Sequence, residues 1–157
     1  MTTSLVFRFL LFLGLNFAAL GIGGYFTGSG VPSEWYLSLA KAPWTPPGWV
    51  FGAAWTTIMI AFSVYMAWLM GRSPEVRVLW LFYGVQWILN VAWNPTFFYF
   101  HATSLALVLI FSLTCLLIWG FFRWWPHMVF RSLTLAPYII WLLIATSLNA
   151  YVVWNNP

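Results

Sequence analysis

The sequence predicts an all-α membrane protein, a bundle of five transmembrane helices with a long lid loop between the first and the second. Charged residues make up 5% of the chain against 63% hydrophobic ones, with a mean hydropathy of +0.88. A 157-residue chain of that composition cannot clothe a water-soluble core in polar surface. The charge-free runs each exceed the roughly 20 apolar residues that a spanning helix needs. They lack the alternation of apolar and polar residues that a membrane β-barrel would require.

The first span is expected near residues 5 to 26, in the run between Arg8 and Glu34. Gly14/Ala18 and Ala19/Gly23 have the small-xxx-small spacing that lets helix backbones approach closely, so this is a packing helix. Asn16 inside it needs a hydrogen-bond partner, because an unpaired amide in hydrocarbon is costly. No small-residue cleavage site precedes a soluble domain, so the span is not read as a removable signal peptide. The second span is expected near residues 46 to 70, with Thr45 as N-cap and Pro46 at the first helical position. The run from Arg77 to Arg123 is about twice a span in length. It is broken by Asn94, Pro95, His101, Thr103 and Ser104, so it reads as two helices, near 76 to 98 and 103 to 124, joined by a tight turn. Cys115 lies within the second of these as a small packing residue without a disulfide partner. The last span is expected near residues 131 to 154. The whole chain, residues 1 to 157, reads as one domain.

Only the first loop, Thr27 to Thr45, is long, and long loops in compact proteins are usually functional. It is aromatic, with Trp35, Tyr36 and Trp44 leading into Pro46-Pro47-Gly48-Trp49, and so should fold down on the bundle as a lid. The net charge of +4 comes from scattered basic residues that form no patch, which argues against nucleic acid as a partner. Arg8, Arg72, Arg77, Arg123 and Arg131 fall on one side of the spans and Lys41 on the other. The positive-inside rule then places the N-terminus in the cytoplasm of a bacterial cell and the first loop outside.

Acid, base and nucleophile constellations are absent. The carboxylates Glu34 and Glu75 and the histidines His101 and His127 are all expected at span ends, which excludes a hydrolytic site. No metal-ligand spacing exists, and the histidines read as solvated rather than as haem ligands. No charged residue lies in mid-span, so the marks of a proton relay or ion-coupled pump are missing.

What remains is a set of aromatic and amide stripes. Gln86, Asn90, Trp93 and Phe97 share one face of the third span, and Gly48, Phe51, Trp55, Met59 and Phe62 one face of the second. Tyr138, Trp141, Ala145 and Leu148 do so on the fifth, with Asn149 beside them. Trp80, Trp124, Trp125 and Trp154 lie near span ends and read as an interfacial belt. Trp55, Trp93 and Trp141 lie deeper, where small residues would pack helices better. Together with Asn90 and Gln86 they describe an apolar cavity with a few polar groups, the usual composition of a ligand pocket.

These islands resemble the TspO/translocator protein family, also called the tryptophan-rich sensory or peripheral benzodiazepine receptor family, over essentially the whole chain. The resemblance rests on Trp35-Tyr36, on Lys41 with Trp44 to Phe51 and Trp55, on Gln86 with Leu89-Asn90, and on Trp93 to Phe98. Pro137-Tyr138, Trp141, Ala145-Thr146 and Leu148-Asn149 complete it. It implies a five-helix bundle, often a homodimer, surrounded by membrane lipids. Its pocket under the first loop would bind tetrapyrroles such as protoporphyrin IX or haem-related rings, sterols and benzodiazepine-site ligands. No resident cofactor is implied; porphyrin or haem would be a ligand. The resemblance puts Trp55, Asn90, Trp93, Phe97, Trp141 and Ala145 in the pocket wall, with Tyr36 and Trp44 in the lid. Phe51, Gln86 and Tyr138 join them as ligand-binding candidates on the stripes. In the family, tryptophans matching Trp55 and Trp141 are also implicated in light- and oxygen-dependent porphyrin breakdown, which would make those two the catalytic pair.

Three departures stand out. The family's Lys-Pro before the lid tryptophan is Lys41-Ala42-Pro43 here, Met59 stands where an aromatic residue is common, and no basic residue follows Tyr151 within the weak cholesterol motif. Three functions remain open on the sequence: a receptor or transporter for tetrapyrroles, an enzyme degrading them oxidatively, and a regulatory membrane partner of another protein.

Overall fold

The computed structural model describes residues 4–156, and among them every regular element is helical. Helix α1 runs Leu5–Gly30, α2 Glu34–Ser38, α3 Gly48–Met70, α4 Val76–Phe98, α5 Thr103–Met128 and α6 Ala136–Asn155, with a 3₁₀ segment Val129–Leu135 between the last two. Helices α1 and α3, and the stretch Thr103–Asn155, are long and apolar enough to cross a membrane. Helix α4 carries Arg77, Gln86, Asn90, Asn94 and Pro95 and falls short of them in composition. It is held between α1 and α5 instead of facing lipid all round.

The five long helices close into a ring: α3 packs on α1, α1 on α4, α4 on α5, α5 on α6, and α6 back on α3. Within lipid the hydrophobic effect draws helices together only weakly, so close packing and interhelical hydrogen bonds must hold the ring. Both are present. Asn16 finds the partner it needs: its Nδ2 donates to Ser63 Oγ at 2.8 Å, and the Tyr83 hydroxyl donates to its Oδ1 at 2.8 Å, tying α1, α3 and α4 at one point. Gln86 Nε2 donates to the Tyr138 hydroxyl oxygen at 2.8 Å, joining α4 to α6, and the Thr114 and Thr146 hydroxyls, 3.2 Å apart, join α5 to α6. Small residues let backbones close up where rings arrive: a Cβ on Gly30 would collide with Phe98, and one on Gly120 would stand 2.6 Å from Phe82. Of the two small-residue pairs on α1, Ala19/Gly23 is buried in the bundle, whereas Gly14/Ala18 faces outward.

Several expected boundaries move. Helix α1 continues one turn past residue 26, so the loop starts later and contains α2, capped by Ser33 Oγ accepting from Tyr36 N. Thr45 does not cap α3. The helix begins only at Gly48, after Pro47, and the Thr45 hydroxyl donates to the Ala42 carbonyl at 2.7 Å. The cause is the double proline: each ring disfavours helical geometry in the residue before it, so Thr45 and Pro46 are both held off the helix. Helix α5 reaches Met128 instead of 124, and α6 starts at Ala136 instead of 131. Between them lies a seven-residue 3₁₀ segment, entered through Val129 at φ 48°.

Trp124 is also corrected. It is fully buried, not interfacial, with its ring edge-on to Phe82 at 4.9 Å and Trp119 at 5.5 Å in space that Gly120 leaves free. Trp154, at the other extreme, is 79% exposed.

Because Asn16 joins three helices at once, Asn16→Leu should destabilise the detergent-solubilised protein by about 1–3 kcal/mol, leaving the buried Tyr83 hydroxyl and Ser63 without their partner. Thermal unfolding followed by circular dichroism checks this; an unchanged midpoint would show that the knot carries no stability.

A candidate ligand cavity beneath the first loop

On the lid side of the Asn16 knot the bundle is hollow. A cavity of about 420 Å³ lies among α1, α3, α4, α6 and the first loop, and α5 contributes nothing to its wall. That volume lies within the range of small-molecule sites. Helix α3 supplies Gly48, Phe51, Gly52 and Trp55, and α4 supplies Asn90, Trp93, Asn94, Phe97 and Phe98. Ala145, Leu148, Asn149 and Val152 come from α6; Gly23, Gly24 and Thr27 belong to the α1 wall.

The aromatic wall on α4 is fixed from behind. Trp93 stacks on Phe97 with centroids 5.2 Å apart, and its Nε1 donates to Asn149 Oδ1 at 3.1 Å. Asn149 Nδ2 donates in turn to the Thr103 carbonyl at 2.9 Å, so one amide on α6 sets both the Trp93 ring and the start of α5. Asn90, 7% exposed, faces the cavity with an amide that bonds to no other described side chain or backbone group.

The loop closes the cavity from above. Tyr36 on α2 packs against Phe97 and Phe98 at 6.4 and 5.5 Å. Burial raises its phenol above the ordinary tyrosine range, so it presents a neutral hydroxyl. Trp35 stacks on His101 at 3.9 Å, fastening α2 to the turn between α4 and α5. The far end of the loop is clamped to α6. The Ala40 amide donates to Asn156 Oδ1 at 2.8 Å, and Asn156 Nδ2 donates back to the Ala40 carbonyl at 3.1 Å. Lys41 lines the cavity, its Nζ 4.7 Å from the Tyr36 ring centroid and within 3.4 Å of the Leu37 carbonyl, with no carboxylate beside it among the described residues. No group of three His, Cys, Asp or Glu side chains comes together among the described residues.

Of the residues singled out in the sequence, Tyr36, Phe51, Trp55, Asn90, Trp93, Phe97 and Ala145 meet at this cavity. Four do not. Gln86 and Tyr138 are buried deeper in the bundle, one turn from Asn90 and two turns from Ala145 on their helices, where they bond to each other outside the cavity lining. Trp141 packs edge-on behind Phe51 at 5.3 Å and borders a separate groove between α3 and α6. Trp44 lies on the outside of the lid, 54% exposed, where its Nε1 donates to Ser147 Oγ at 3.1 Å and its ring meets Tyr151 edge-on. Met59 and Phe62 are in the packed core, so the missing ring at Met59 takes nothing from the cavity wall.

Residues 11–155, nearly the whole chain, match the TspO/MBR family. The chain belongs to the TspO/MBR family. Protein CrtK of Rhodobacter capsulatus is 38% identical over 136 residues, covering 80% of this chain and 81% of that protein. The tryptophan-rich sensory protein of Cereibacter sphaeroides is 36% identical, covering 80% and 81%. The human translocator protein is 34% identical, covering 85% and 83%. With its apolar helices, family membership makes this an integral membrane protein.

For this TspO/MBR protein the sequence reading overlooked Thr27, Asn94 and the Asn156 clamp. Asn94 was within reach, since the i to i+4 step from Asn90 points to it as directly as the i+3 step points to Trp93. Asn156 carried no signal, because its partner is a backbone amide 116 residues away. Removing the clamp with Asn156→Ala should leave the helices intact and raise amide hydrogen exchange across residues 38 to 42 by about tenfold or more, as local opening becomes cheaper. Exchange unchanged there would mean that α2 alone holds the lid.

Proposed function

We propose that this cavity binds a planar, largely apolar ligand, in the first place a tetrapyrrole such as protoporphyrin IX or a haem-related ring, and that sterols or benzodiazepine-site ligands would use the same walls. The observation that carries the reading is the lidded space between Trp55 and Trp93, walled mostly by apolar and aromatic side chains, with Thr27, Tyr36, Lys41, Thr45, Asn90, Asn94 and Asn149 as its polar members. Indole and phenyl faces stack on a flat ring, and a cation near the mouth suits the carboxylates that such rings carry on one edge. Receptor and transporter both fit such a site. Oxidative breakdown needing Trp55 and Trp141 together fits less well, because Trp141 lies behind Phe51.

The reading extends to placement. Arg8 lies against Gly71, Arg123 pairs with Glu75, and Arg131 sits over Trp68, so these arginines share the end of the bundle opposite the lid. We place that end in the cytoplasm and the lid outside, with five passes between. The outward Gly14/Ala18 face of α1 is the surface we assign to a homodimer.

Titrating protoporphyrin IX against the tryptophan fluorescence of the solubilised protein tests the site. Trp55→Leu should weaken binding about tenfold, the loss of one stacked ring, while Trp154→Leu, far out on α6, should leave it unchanged. Equal affinity in wild type and Trp55→Leu would place the ligand elsewhere.

A further inference from the structure

The end of the bundle opposite the lid carries positive charge that the protein does not balance. Three arginines from three different elements meet there at one corner, the last turn of α3. The Arg8 guanidinium of α1 occupies the place that a Cβ on Gly71 would take, so the glycine gives it a seat. Arg72, next in the chain, turns its Nη1 back to the Trp68 carbonyl at 3.5 Å. Arg131, in the 3₁₀ segment, holds its guanidinium 5.6 Å from the centre of the Trp68 ring.

The chain has two acidic side chains, and neither serves this corner: Glu34 is on the lid, and Glu75 is taken by Arg123. The free carbonyls at the end of α3 amount to roughly half a negative charge against three positive ones. Arg8 Nε is buried without a hydrogen-bond partner among the described residues, so nothing in the bundle offsets its desolvation. The surface around the corner is apolar. Phe130 and Leu133, on either side of Arg131, are 78% and 51% exposed, and Val6 and Phe7 before Arg8 are exposed as well. Cations bordered by exposed hydrocarbon suit the level at which a bilayer passes from acyl chain to phosphate, so the anion that fits them carries both.

We propose that Arg8, Arg72 and Arg131 form a headgroup site for an anionic phospholipid, whose phosphate lies at the α3 corner and whose acyl chains lie against Phe130 and Leu133. Guanidinium groups bind phosphate oxygens through paired N–H donors. Because the three come from α1, the end of α3 and the 3₁₀ segment, a bound headgroup ties those elements together. Arg123, already held by Glu75, stays outside the site, which distinguishes the corner from the general excess of positive charge at this end. The site lies at the opposite end from the cavity and does not depend on what the cavity binds.

The full-length protein in neutral detergent is titrated with phosphatidylglycerol that carries an acceptor for tryptophan fluorescence on one acyl chain, and with phosphatidylcholine bearing the same chains and label. Phosphatidylglycerol should bind about tenfold tighter or more. Arg8→Gln and Arg131→Gln should each raise its Kd about fivefold, which corresponds to the roughly 1 kcal/mol that an arginine contributes near an anionic membrane surface, and should move phosphatidylcholine by less than about twofold. Arg77→Gln, at the exposed start of α4, removes the same charge from the same end and should change the phosphatidylglycerol Kd by less than about twofold. If Arg77→Gln weakens it as much as Arg8→Gln, or if wild type binds both lipids alike, the corner is no site and the arginines act only as diffuse charge. Inorganic phosphate alone should displace little of the lipid, since it has no chains to meet Phe130 and Leu133; full displacement would make the corner a site for soluble phosphate and overturn the lipid assignment. Arg131 is exposed, so Arg131→Gln decides should Arg8→Gln fail to fold.

Discussion

The bundle depends on the rule that a polar group in hydrocarbon must find its partner inside the protein. Asn16 obeys it by binding Ser63 and Tyr83, and that junction divides the molecule in two. On the arginine side, Phe12, Phe62, Tyr65, Leu69, Leu79 and Phe82 fill the space between helices completely. On the lid side the same helices stand apart around a cavity, and the buried Gln86–Tyr138 bond joins α4 to α6 outside its lining. The filled half holds the geometry that the hollow half needs in order to stay open.

The hollow half is closed by irregular backbone, which lipid tolerates only where protein covers it or a cavity borders it. The loop meets both conditions, because α3 begins late. Its residues lie against α6, where Asn156, Ser147 and Tyr151 hold them from one side while Trp35 on His101 holds α2 from the other. The late start of α3 follows directly from Pro46-Pro47. Two adjacent prolines thereby supply the room that the lid occupies, which is a more specific role than marking a helix start.

How much of this was legible in the sequence varies with the kind of contact. The helical stripes located Phe51, Trp55, Asn90, Trp93, Phe97 and Ala145, because periodicity determines which residues share a face. Periodicity does not determine depth. Gln86, Tyr138 and Trp141 lie on the same stripes as the wall residues, yet one or two turns further along their helices they meet each other or Phe51 instead of open space. Trp124 likewise lies near a helix end, where the belt rule applies, but the glycine one turn earlier draws it inward.

By itself the sequence determined that the chain lies in a membrane, that it is built of long helices under an aromatic lid, and which helix faces carry rings and amides. Composition and short-range spacing settle those matters, since hydropathy and the 3.6-residue turn act locally. Only the tertiary structure decided where the cavity stops, that Trp44 clamps the lid from outside instead of facing a ligand, and that Thr27 and Asn94 share one wall. Those outcomes depend on the axial offset between helices, which is set by pairings such as Asn16 with Tyr83 and Asn156 with Ala40 across 67 and 116 residues of chain. No local pattern encodes such an offset.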